Sequence, residues 1–173
     1  HVSWTALLGG GGVLNVGSME EQLTRSAELV KNGYAVFPQV TCRPLNFEFR
    51  FDQPFLFQSM PAFAPVNKAD HAGKLKLYAD ADFREAFRAA VQGGMRAAWE
   101  KTVVSFCSNM PDYEERLVSE IAKEKGVDSL DLALDLSLES DLTTRFRIPV
   151  ANSNEDDIAI LLKDPTTVLG LSD

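Results

Sequence analysis

Histidine and cysteine are scarce in this chain, with two of each among 173 residues. Cys42 and Cys107 stand too far apart for a zinc-binding pair and are too few for a disulfide framework. A disulfide-stapled scaffold is therefore excluded, and a reducing cytoplasm is the expected location. Basic charge is also short, since 17 Lys and Arg face 25 Asp and Glu for a net charge of -8. That balance repels a phosphate backbone, and no basic stripe interleaved with aromatics offsets it, so no nucleic-acid partner is expected. No run of about 18 apolar residues is present, which argues against a membrane span. The first residues also lack the basic and apolar regions of a signal peptide. Short-period repeats and low-complexity tracts are missing as well.

What is present is a chain 45% hydrophobic and 24% charged, the balance of an ordinary folded domain. Val2 to Leu8 reads as a buried strand, broken by Gly9-Gly10-Gly11-Gly12. Ser18 with Glu21 predicts a capping box, after which Met19, Leu23, Ala27 and Val30 recur at helical spacing up to Asn32-Gly33. A second strand, Tyr34 to Val40, follows. Further on, Thr102 to Cys107, Arg145 to Ala151 and Val168 to Leu171 read as strands, separated by helical patterns over Asp80 to Trp99, Asp112 to Gly126 and Ser153 to Leu162. Leu130 to Leu138 places leucine at every second position, as in a strand. Its lack of β-branched residues, its leucine and alanine content and an N-capping Asp128 favour a helix.

Strands alternating with helices predict an α/β fold with a mostly parallel sheet, either open or an arc of a barrel. One segment departs from the alternation. From about 43 to 79, Phe47, Phe49 and Phe51 alternate with charged residues and Pro54, Pro61 and Pro65 forbid a long helix, which suggests an aromatic insertion or lid. Both ends look cut: His1-Val2-Ser3-Trp4 opens without methionine, and Val168-Leu169-Gly170-Leu171-Ser172-Asp173 stops on a carboxylate. The chain is expected to be an excerpt, with 1–173 forming part of one barrel domain. Exposed strand edges would then favour a homo-oligomer.

In parallel α/β folds the functional groups gather at the carboxyl ends of strands. Those positions offer Thr5, Gln39 to Arg43, Ser105 to Ser108, Asn152 to Asn154 and Ser172-Asp173. Arg43 presents a planar fork suited to a substrate carboxylate, or pairs with a neighbouring acid. Cys42 reads as a small hydrophobe more than as a ligand. His71, among Lys68, Asp70 and Lys74, reads as a solvated surface histidine. The glycine run lacks the Lys-Ser/Thr of a phosphate loop. The phenylalanines from Phe47 to Phe63 either accept an acyl chain or pack the insertion.

The ending Leu169-Gly170-Leu171-Ser172-Asp173, together with Pro149-Val150-Ala151-Asn152-x-Asn154-Glu155-Asp156, Trp4-Thr5-Ala6-Leu7-Leu8 and Phe37-Pro38-Gln39-Val40-Thr41-Cys42-Arg43-Pro44, resembles the N-acyl-D-amino-acid deacylase (D-aminoacylase) branch of the amidohydrolase superfamily. The resemblance implies a partial (β/α)8 TIM-type barrel, of which this chain is the C-terminal half. It also implies a metal-dependent hydrolase of a non-peptide C–N bond, with a divalent metal, zinc first, and an N-acyl amino acid as small-molecule substrate. Asp173 matches the aspartate that binds the metal and takes the proton of the attacking water, while Gln39 and Trp4 match ligand positions and join Arg43 as candidate substrate-binding residues. The chain departs from the family where Ser3 is followed by Trp4 rather than histidine, and where Phe37-Pro38-Gln39 replaces Tyr-Pro-Tyr. Those departures leave open a metal-free ligand-binding barrel, with the excerpt binding no metal and showing no activity by itself.

Overall fold

A computed structural model describes residues 2–9 and 17–170. His1, Gly10, Gly11, Gly12 and Asp173 lie outside the described residues. The chain divides into two compact units, one formed by 1–46 with 149–173 and the other by the continuous stretch 47–148.

The discontinuous unit holds a three-stranded sheet, β1 (Val2–Thr5), β2 (Val36–Val40) and β6 (Val168–Leu169), in the order β1-β2-β6. Both pairings are parallel, with Thr5 opposite Gln39 and Gln39 opposite Val168. Parallel neighbours need a crossover, and helix α1 (Met19–Lys31) supplies the first one. Ser18 caps α1 by accepting a hydrogen bond from the Glu21 backbone N–H, but the Ser18 hydroxyl also donates to Glu20, so only half of the expected capping box forms. Leu7, Met19, Val40 and Leu161 make the core of this unit, and Leu161 comes from helix α7 (Glu155–Lys163), capped by Asn154.

The continuous unit is built around rings. Phe51, Phe57, Phe63, Phe87, Tyr78 and Trp99 are all fully buried. Phe57 lies 5.1 Å from Phe87 and 5.2 Å from Phe63, and most of the contacts in this cluster are edge-on, the arrangement that ring quadrupoles favour. Phe57 and Phe63 sit on two short 3-10 turns, as the prolines beside them dictate. The helical stretch expected over 80–99 is two helices, α3 (Ala81–Ala90) and α4 (Gly93–Trp99), parted just before Gly93-Gly94, and a further helix, α2 (His71–Ala79), precedes them. Asp80 ends α2 and caps α3 by accepting from the Phe83 N–H, so one short acid separates the two helices. Helix α6 (Ser129–Glu139) confirms the helical reading of the leucine run, with Asp128 accepting from the N–H groups of Leu130 and Asp131. Leu130, Leu132, Leu134 and Leu136 are all buried, because α2, α3 and α5 (Val118–Lys125) surround it. Alternation here marks a helix buried on several sides rather than a strand.

A second three-stranded sheet has the order β3-β5-β4, from β3 (Leu45–Phe49), β5 (Arg145–Ala151) and β4 (Val103–Phe106). Strand β4 runs antiparallel to β5, pairing Val103 with Arg147. This corrects the expectation of a (β/α)8 barrel, partial or otherwise. The described strands number six, divided between two sheets, and only β1, β2 and β6 are wholly parallel to their neighbours. The reason lies in the aromatic segment, which supplies a sheet strand of its own instead of a lid. On β3, Glu48 accepts from Ser105 at 2.9 Å and from Arg145 at 3.3 Å, which fixes that strand by polar pairs from its neighbours. The continuous unit covers 47–148. No described helix is long and apolar enough to cross a membrane.

Candidate functional site

The parallel sheet ends at a cavity of about 340 Å³. Thr5 closes β1, Gln39 and Thr41 flank the last residue of β2, and Gly170 follows β6, so all three strands bring their carboxyl ends to the same opening. Arg43 and Asn46 continue the polar lining, while Leu8, Pro44 and Leu45 supply the apolar part. Strand geometry explains the meeting. Parallel register aligns the three carboxyl ends, and the backbone carries the alignment past them: the Leu7 N–H donates to the Gln39 carbonyl and the Gly170 N–H to the Val40 carbonyl, each at 2.9 Å.

Asn152 holds the strand exits together. It is fully buried at the end of β5, with φ at 58°, a left-handed conformation that asparagine tolerates better than most residues. Its side-chain oxygen accepts from the Gly9 N–H at 3.0 Å, and its backbone N–H donates back to the Gly9 carbonyl at 3.3 Å. Its side-chain nitrogen donates to the carbonyls of Thr41 at 2.9 Å and Arg43 at 3.0 Å. One residue therefore satisfies the backbone at the exits of both β1 and β2. Gly9 accepts this close approach because it has no side chain: a Cβ there would lie 3.0 Å from Asp157 Cβ and 3.2 Å from the Asn152 oxygen. The Thr41 hydroxyl completes the turn by accepting from the Arg43 N–H at 3.3 Å.

Gln39 is placed with similar economy. Its side-chain nitrogen donates to the Ser3 hydroxyl at 3.1 Å, across the β1–β2 pair. On the opposite flank, a Cβ at Gly170 would fall 2.4 Å from Gln39 Cβ and 2.7 Å from its amide oxygen. A side chain at 170 would thus displace Gln39 from the wall it occupies.

Of the residues named from sequence, Gln39 and Arg43 meet in the cavity lining. Trp4 instead packs, half-buried, against the Leu7, Met19, Val40 and Leu161 core, as alternation along β1 requires once Thr5 faces the cavity. Asp173 lies outside the described residues. Cys42 is exposed. His71 is exposed too, with its Nε2 2.7 Å from an Asp141 oxygen. Phe51, Phe57 and Phe63 are core, so the aromatic segment packs against itself. Asn152 was named from sequence as a polar residue after a strand and within the motif that carries the resemblance, but not for the hydrogen bonds it makes, which depend on Gly9, Thr41 and Arg43 arriving from far along the chain.

The lining does not suit a divalent cation. Zinc takes thiolate, imidazole or carboxylate, and calcium or magnesium takes several oxygens, carboxylates among them. The polar lining side chains here are hydroxyls, carboxamides and one guanidinium. Among the described residues no group of three His, Cys, Asp or Glu side chains gathers that could hold a metal ion. Compared with family models, curated proteins and solved structures, the chain matches none.

Proposed function

We propose that the chain contributes the substrate-binding wall of an amidohydrolase acting on N-acyl amino acids. The observation that carries this reading is the convergence of three parallel strand ends on a cavity whose polar groups are Gln39, Thr5, Thr41 and Arg43. Carboxamide and hydroxyl groups complement an amide, and a guanidinium complements a carboxylate through paired hydrogen bonds. A cavity of about 340 Å³ is at the small end of ligand sites, as an N-acyl amino acid requires. Hydrolysis itself needs a group that activates water. The resemblance to the deacylase family gives that part to Asp173, which follows Gly170 by three residues.

A second reading, ligand binding without hydrolysis, is favoured by the absence of any acid or histidine from the described lining. The two separate in one experiment. The full chain, with and without added zinc, is incubated with N-acetyl amino acids of both hands while free amino acid is quantified, and binding is measured by calorimetry in parallel. Release that disappears in Asp173→Asn supports the hydrolase. Binding with no release supports the second reading. Neither binding nor release would refute both.

A further inference from the structure

We infer that β1 is an interface strand, and that two copies of the chain pair their β1 edges antiparallel across a two-fold axis. The observations are independent of the ligand reading. β1 stands at one edge of the parallel sheet, with β2 as its only neighbouring strand among the described residues. The Val2 N–H donates to the Ala35 carbonyl at 2.8 Å, so Val2 and, two residues on, Trp4 turn their peptide groups toward β2. Ser3 and Thr5, the alternate residues, turn theirs outward, and no described residue bonds to those N–H and C=O groups. The side chains are open as well, with Val2 59% exposed, Ser3 and Thr5 exposed and only Trp4 half-buried. Strands of a parallel sheet are ordinarily covered.

The other strand edges are blunted. Residues 115–118 occupy the outer edge of β4: the Val104 N–H donates to the Arg116 carbonyl at 3.0 Å, and the N–H groups of Glu115 and Val118 donate to the carbonyls of Val104 and Thr102 at 2.8 and 2.9 Å. β3 carries Glu48, a charge that disfavours pairing with a further strand. β6 is two residues long and turns only Leu169 outward, because the Gly170 N–H is spent on the Val40 carbonyl. β1 has none of these devices, since Val2 to Leu8 contains neither charge nor proline. In a chain of net charge -8, a neutral edge is a surface on which two copies approach without like charges meeting. Two-fold symmetry then fixes the register. Centred on Trp4, the axis sets Ser3 of each copy opposite Thr5 of the other as hydrogen-bonded pairs, which exchange four bonds in all. Centring it on Ser3 or on Thr5 leaves two such bonds within Val2–Thr5. In the favoured register Trp4 faces its own counterpart as the close, non-hydrogen-bonded pair, and opposed aromatic side chains on one face add to sheet stability.

The test is sedimentation of the full chain from about 1 μM to about 1 mM, the range in which a small interface associates. Monomer should give way to dimer as concentration rises. Over the same range the two opposed indoles should produce a growing exciton couplet in circular dichroism, and amide exchange at Ser3 and Thr5 should slow. Trp4→Phe keeps an aromatic pair, so dimerisation should persist within severalfold while the couplet disappears. Ser3→Pro removes one outward N–H from each copy, a change that an edge strand accepts. Losing two hydrogen bonds per dimer should weaken association about tenfold to a hundredfold, with exchange across Met19–Lys31 unaltered as the check on the fold. A monomer throughout the range overturns the inference, and slow exchange at Ser3 and Thr5 in that monomer would show that the chain covers its own edge. A dimer indifferent to Ser3→Pro, or a couplet that survives Trp4→Phe, also overturns it by placing the contact elsewhere.

Discussion

The two units solve the problem of a core in opposite ways. In the continuous unit, rings fill the interior, and charge is kept at the boundary, where Arg84 and Arg88 reach Asp135 and Asp131 on α6. In the discontinuous unit the fully buried apolar core is small, and a buried polar residue, Asn152, ties the strand exits that the core does not reach. Aromatic packing tolerates many arrangements of similar volume, whereas a carboxamide making three side-chain hydrogen bonds tolerates one. The unit that relies on geometry holds the cavity of about 340 Å³.

The largest blow to this contrast should come from Phe57→Ala, which empties the middle of the ring cluster. A cost of about 3–5 kcal/mol is expected for a phenylalanine deletion in a close-packed core. Hydrogen exchange followed peptide by peptide should rise across 47–148. An equal rise across 1–46 and 149–170 would show that the division into two units is not one of stability.

Asn152→Ala should cost less, about 1–3 kcal/mol for unpaired backbone groups, with added strain because alanine is poorly suited to a φ of 58°. Its effect should be local: faster exchange at Gly9 and at 41–43, with weaker ligand binding and an unchanged ring cluster. Asn152→Gly relieves the backbone strain but not the lost hydrogen bonds, so it should recover part of the stability and none of the binding. Unchanged binding in both variants would remove Asn152 from any role in shaping the cavity.

The smallest effect concerns the surface of the continuous unit. Arg147 donates two hydrogen bonds to Glu115 and holds its carboxyl below the ordinary range. A carboxyl with a lowered folded-state pKa contributes stability above its unfolded value, and loses it as pH falls through the folded one. Glu115→Gln should therefore lower the thermal midpoint slightly at pH 7, by under about 2 °C for an exposed pair. The difference should shrink as pH falls below the ordinary glutamate value and vanish once it passes below the lowered folded-state one. A difference that grows on acidification would reverse the sign and exclude the pairing as its source.

The helical caps were the most legible part of the fold. Ser18, Asp128 and Asn32-Gly33 mark ends by local hydrogen bonding, which a sequence displays directly. The leucine run was legible for the same reason, since propensity and a cap outweighed periodicity. Strand partners were not legible, because nothing local distinguishes Val103 to Phe106 pairing antiparallel from the same residues pairing parallel. The barrel expectation failed on that point. Arg43 could be placed at a site because position after a strand is a local property, and Gln39 because the resemblance matched it to a ligand position. Gly170 and Gly9 could not, since the need for a missing Cβ appears only when Gln39 or Asn152 arrives from far along the chain.

That last dependence has a consequence for synthesis. Gly9 and Asn152 are 143 residues apart, and the whole 47–148 unit is translated between the first two strands of the parallel sheet and the third. A ribosome adding roughly 5–20 residues per second needs about 5–20 s to cross that interval. During it the ring cluster can complete itself, while β1 and β2 wait beside an edge with no β6 to cover it. The cavity at the strand ends is accordingly the last part of the described chain to exist, and a nascent chain stalled before Asn152 would present a finished aromatic core and an unfinished parallel sheet.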